Sequence, residues 1–80
     1  MMQDDRMRDR IRWHCRRGML ELDLTLNKFV ERHLAVLTPA KLAAFNALLA
    51  RTDPELLDLV MGRAEAIEPD EREVLALMRR

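Results

Sequence analysis

Residues 20–26 read Leu20-Glu21-Leu22-Asp23-Leu24-Thr25-Leu26, alternating leucine with polar residues. A period of two is the pattern of a half-buried strand. Two observations turn the reading to helix. Nothing else in the chain alternates, so a strand here would have no partner for its backbone. The same leucines also continue at helical spacing. Leu20, Leu24, Asn27, Val30, Leu34 and Leu37 form one row, and Leu22, Leu26, Phe29 and His33 form another. Two apolar rows on one helix predict burial on two sides, and hence a central second helix with the others packed around it.

Working outward, five glycines and prolines divide the rest. Gly18 separates the second helix from a first one. Thr38 before Pro39 reads as an N-cap followed by proline at the first helical position. Asp53, or Thr52, before Pro54 repeats the device. Gly62 suits the left-handed residue that follows a helix. Pro69 opens a last segment whose Asp70, Glu71 and Glu73 sit well near a positive helix end. The expectation is an all-α fold, a compact five-helix bundle. Residues 1–80 form one domain, with helices at about 5–17, 19–37, 39–51, 54–61 and 69–79. Met7, Ile11 and Cys15 make the core stripe of the first helix. The third contributes Leu42, Phe45, Leu48 and Leu49, the fourth Leu56, Leu57, Val60 and Met61, and the fifth Val74, Leu75, Leu77 and Met78.

Composition excludes several classes. Eighty residues approach the lower limit for one unstapled core, and the single cysteine forbids an internal disulfide framework, which fits a reducing, intracellular setting. No apolar run approaches the roughly 20 residues of a membrane span. The charged N-terminus lacks a following apolar stretch, so no secretory signal is expected. Asp4, Asp5 and Asp9 argue against an organelle presequence. The net charge of zero hides an asymmetry: residues 1–17 carry six arginines and three aspartates, whereas residues 53–73 carry eight acids against Arg63 and Arg72. A strong nucleic-acid binder is usually basic as a whole domain.

Catalytic groups are sparse. His14 and Cys15 are adjacent and point about 100° apart on a helix, and His33 lies eighteen residues away, so no metal site is expected. There is no serine, and two glycines cannot build a phosphate-binding loop. No catalytic residue is assigned, and an enzyme is not expected.

The first helix is more informative. Trp13 lies about 200° around from Ile11, facing away from the core stripe, with Arg10, Arg16 and Arg17 as its helical neighbours. An aromatic framed by guanidinium groups is a common hot-spot composition. The bland alternative lays Trp13 over another helix, with the arginines solvated or paired to the acidic half. At the junction, Gly18 as N-cap and Glu21 at the third helical position would form a capping arrangement. That accounts for the glycine and the glutamate but assigns nothing to Arg17.

Together, the segment RIRWHCRRGMLELDLTL (residues 10–26) resembles the N-terminal signature of the small FAD assembly factors for succinate dehydrogenase, the flavinators. Their hallmark is Arg-Gly-x-x-Glu, here Arg17, Gly18 and Glu21, with Trp13 upstream and Leu22 and Asp23 downstream. The segment LLARTDPELLDLVMGR (residues 48–63) resembles the family's Asp-Pro-x-Leu region. The resemblance spans nearly the whole domain. It implies a five-helix bundle that is not itself a redox enzyme. Such a protein binds the flavoprotein subunit of succinate dehydrogenase, and in bacteria that of fumarate reductase, and promotes covalent attachment of FAD to a histidine of that subunit. The partner-binding surface would comprise Arg17, Gly18 and Glu21, with Arg10, Trp13 and Asp23 contributing. FAD would be held by the partner, not tightly by this chain. A monomer acting in the bacterial cytoplasm, without nucleic acid or membrane as partner, is expected. The short segment before the motif fits the bacterial kind, and the family's usual C-terminal tail is short or missing. The alternative is a small regulatory adaptor, nucleic-acid-binding or antitoxin-like, using the Arg-rich first helix.

Overall fold

The computed structural model describes residues 2–79, with side chains from residue 6 onward. Five α-helices run through the described residues: α1 (Met2–His14), α2 (Leu20–His33), α3 (Pro39–Leu49), α4 (Asp53–Val60) and α5 (Pro69–Arg79). A 3-10 turn, Leu34–Val36, ends the second helical segment where an unbroken helix to residue 37 was expected. The all-α expectation holds, and Leu20–Leu26 is helical.

The punctuation residues act through identifiable bonds. The Thr38 hydroxyl accepts the Lys41 N–H at 3.2 Å, ahead of Pro39. Thr52, not Asp53, caps α4. Its hydroxyl takes the Glu55 N–H while the Glu55 carboxylate takes the Thr52 N–H, a complete capping box. Gly62 has φ +81. Beside it the Arg63 N–H reaches Asp58 O at 2.8 Å and the Gly62 N–H reaches Leu59 O, the paired bonds of a Schellman ending.

Two expectations fail. The two-sided burial of the second helix is found only in part: Leu22, Leu26 and Phe29 enter the core, and of the other row Leu34 and Leu37 are buried and Val30 packs against the core, while Leu20 is 72% and Leu24 62% exposed. The neighbours that were to cover Leu20 and Leu24 pack elsewhere, because α3 holds the centre. It buries Leu42, Ala44, Phe45, Leu48 and Leu49, packs along α5 and touches α1. Phe29 meets Phe45 edge-on at 4.8 Å between ring centroids, which fixes α2 against α3. Burying a leucine or phenylalanine side chain contributes about 2 kcal/mol, and α2 buries two leucines and one phenylalanine. Among the stripe residues, Met7 and Met61 are exposed, while Leu59 and Ala66 join the core.

Second, α1 ends at His14 rather than near 17, and Gly18 and Glu21 do not form a cap. Met19 is the N-cap residue of α2, extended at φ −116, with no side-chain capping bond. Glu21 is thereby the second helical residue instead of the third, too early for the reciprocal bond to Gly18.

Arginines close three helix ends from a distance. The Arg8 guanidinium donates to Leu34 O at 3.1 Å and Leu37 O at 3.4 Å. Arg79 donates to Leu59 O and Val60 O at the end of α4. Arg17 does the same for α3. The last carbonyls of a helix lack partners within it, and cations suit that negative end.

Candidate partner-docking surface

The α1–α2 junction, residues 15–19, leaves the helix through a tight turn. The Cys15 N–H reaches Ile11 O at 3.0 Å and the Arg16 N–H reaches Trp13 O at 3.1 Å. The Arg17 N–H then donates to the Asp23 carboxylate at 2.8 Å, tying the loop to the first turn of α2. Gly18 follows at φ +79. A Cβ placed there would meet nothing within 4 Å, so its backbone angle, not crowding, calls for glycine.

The adjacent arginines part company. Arg16 turns outward and sets its guanidinium 5.5 Å from the Trp13 ring centroid, a cation–π distance. Trp13 is 71% exposed, so the reading that lays it over another helix is excluded. Arg12, ion-paired to Asp9 at 3.2 Å, completes a shallow depression of about 160 Å³ with Trp13 and Arg16. That is below the roughly 300–1,000 Å³ of a small-molecule pocket, and it suits a protruding side chain of a macromolecular partner.

Arg17 turns inward. Its Nε donates to Asp53 Oδ1 at 2.7 Å, Nη1 to Leu49 O at 2.7 Å and to His14 O at 3.3 Å, and Nη2 to Arg51 O at 2.7 Å. One guanidinium thus joins the end of α1, the end of α3 and the start of α4. The side chain is 14% exposed and Asp53 34%. Short, multiple, charge-assisted bonds are the condition under which a half-buried ion pair offsets its desolvation. Beneath it, burial pushes the Cys15 thiol up to about 11, against the opposing pull of Arg17. The thiol is therefore protonated and inert at neutral pH.

The residues singled out from the sequence divide into three sets. Trp13 and Glu21 are exposed, and Glu21 sits in the first turn of α2, where the helix dipole favours a carboxylate. Arg17, Gly18 and Asp23 form the connected junction. Arg10 is exposed but opens onto another groove, lined by Arg6, Met7 and Asn46 of α3. The partner of Arg17 escaped the sequence reading. Asp53 was visible only as a possible cap, and its carboxylate lies thirty-six positions from Arg17. The shared appearance of an Arg-Gly and an Asp-Pro segment was the one available hint.

Among the described residues no group of three or more His, Cys, Asp or Glu side chains is placed to hold a metal, and no helix is long and apolar enough to cross a membrane. The surface offers a π-face, guanidinium groups and a carboxylate: groups for recognition.

The family model described as "Flavinator of succinate dehydrogenase" matches residues 9–80. Proteins named "FAD assembly factor SdhE" from Legionella pneumophila strains Lens and Paris are each 44% identical over 75 residues, covering 94% of this chain and 90% of theirs. One of the same name from Coxiella burnetii is 41% identical over 71 residues, covering 89% of this chain and 83% of its own. No solved structure matches the chain significantly. With the family match spanning almost the whole chain and relatives this similar along most of their length, the chain belongs to the flavinator family of succinate dehydrogenase.

Proposed function

We infer that this chain is a non-catalytic assembly factor that binds the flavoprotein subunit of succinate dehydrogenase and promotes covalent attachment of FAD to it. The names of its relatives point to the client, and the exposed Trp13, flanked by Arg16 on a junction braced from inside the bundle, carries the docking reading. A tryptophan framed by guanidinium groups is a common hot-spot composition at protein interfaces. Trp13 and Glu21 are the direct contacts in this reading, Arg10 lies at the margin, and Arg17, Gly18 and Asp23 belong to the same surface.

The bond to be made joins the flavin to a histidine of the flavoprotein, so the reacting groups and the FAD are the partner's. The factor acts by holding the partner in the conformer that brings those groups together, catalysis by positioning delegated to a second protein. No FAD is bound tightly by this chain in this reading. The flavoprotein of fumarate reductase is a second client, and a monomer working in the bacterial cytoplasm suffices. The nucleic-acid alternative is less favoured because the chain has 14 basic and 14 acidic residues, where a nucleic-acid-binding domain is usually basic overall.

The test is co-expression of the flavoprotein with wild-type, Trp13→Ala or Glu21→Gln protein, followed by flavin fluorescence on a denaturing gel. Covalent flavin should drop sharply with Trp13→Ala and partly with Glu21→Gln, both variants staying helical by circular dichroism. Full flavinylation with the Trp13 variant would remove that residue from the surface.

A further inference from the structure

The inward turn of Arg17 sets up a question about the docking surface itself. Four of the five guanidinium N–H groups are already bonded within the chain, three of them to main-chain carbonyls. An arginine that grips a partner carboxylate presents two parallel N–H groups. Arg17 cannot do so without surrendering Asp53 or a helix-end carbonyl. Its main-chain N–H is committed as well, to Asp23. The residue is therefore fastened at both ends, by its side chain to the α3–α4 corner and by its backbone to α2.

We propose that Arg17 is a positioning residue of the docking surface rather than a contact, and that Asp53 is a further member of the functional set, acting through Arg17 from the α3–α4 corner. The proposal rests on the flavoprotein-docking reading above and deepens it. Its physical content is a chain of three links. Asp53 receives Nε at 2.7 Å and orients the guanidinium plane. That plane reaches Leu49 O and Arg51 O and holds the loop down. The loop, passing through Gly18 in its left-handed conformation, sets where α2 starts and hence where Glu21 points relative to Trp13 on α1. A binding surface made from two helices needs their relative direction fixed, because small misplacements of contact groups cost affinity steeply. The Arg-Gly and Asp-Pro segments, distant in sequence, become two halves of one clamp.

The experiment uses the full chain and the purified flavoprotein. Wild-type, Asp53→Ala, Asp53→Asn and Asp53→Glu proteins are compared by amide hydrogen exchange on the free chain and by calorimetric affinity for the flavoprotein. Asp53→Ala should speed exchange across residues 17–20 while leaving α3 and α5 protected. It should weaken binding by about tenfold or more. Asp53→Asn, which keeps an acceptor oxygen, should show a smaller change in both, and Asp53→Glu should recover most of the loss. If Asp53→Ala does not stay folded, Asp53→Asn decides by the same two readouts. Wild-type affinity, or tighter binding, in a folded variant with a loosened loop overturns the proposal, since a released Arg17 would then be touching the partner itself. Failure of the wild-type chain to bind the flavoprotein overturns the docking reading and this proposal together, an outcome distinct from failure of the Asp53 variants alone.

Discussion

The α3–α4 turn and the α1–α2 junction solve the same problem, a helix start after a chain reversal, by opposite means. At the first, everything needed lies within four residues: Thr52 and Glu55 exchange bonds, and proline pre-sets the backbone of the first turn. At the second, Met19 offers no capping side chain, and order arrives from Asp53, Leu49 and Arg51 through Arg17. A locally capped turn folds with its helix, whereas a remotely braced junction is ordered only once the bundle has assembled.

Breaking the remote brace should therefore cost more than breaking the local one. Arg17→Ala leaves a carboxylate and helix-end carbonyls without their donors, and it should destabilise the chain by about 2–4 kcal/mol. In a domain of this size that is a fall in melting temperature of more than about 10 °C, read by circular dichroism. Gly18→Ala comes next. With open space around the Cβ, the loss should reflect the left-handed backbone alone, about 1 kcal/mol. Gly18→Asn should lose less, because asparagine tolerates that region better. Equal losses would show that more than backbone angle is at stake.

At the locally capped turn, Thr52→Ala should cost about 1 kcal/mol with a similar loss of helix at the start of α4. The smallest effect is that of pH on the same turn. Hydrogen bonds from Thr52, first its hydroxyl and then its main chain, hold the Glu55 carboxyl below its ordinary value of 4.5. A depressed pKa contributes stability above the unfolded-state value and loses it as pH falls through the folded one. Wild-type melting should thus decline slightly more below pH 4.5 than that of Thr52→Ala, and identical acid limbs would deny the box any charge component.

The same contrast explains what the sequence revealed. The proline-led starts, the Gly62 ending and the α3 core stripe follow from local spacing and are found as expected. The all-α architecture follows from periodicity, as does the turn of Trp13 away from the Ile11 stripe, whereas its exposure is seen only in the structure. Nor does the exposure of Leu20 and Leu24 follow from it, because periodicity says which residues share a face and not whether a neighbour covers it. The choice of α3 as the centre depends on helix-to-helix docking, which no single window records. Arg17 is the clearest case. Its neighbours in sequence contain no acid within three residues, its surroundings in space include main-chain carbonyls of His14, Leu49 and Arg51, and the link to Asp53 spans 36 positions.

Arg8 and Arg79 each lend a side chain to the end of a helix other than their own, and Arg17 does so from the junction. Leu34 O and Leu59 O also accept a local main-chain N–H, but the charged donor reaches these helix ends only when the segment that carries it is in place. The bundle's ends are thus interlocked, and its helices should melt as one cooperative unit. A fragment that omits α1 and the junction through Arg17 removes two of these donors at once, so the remaining helices would fray where α2 and α3 stop.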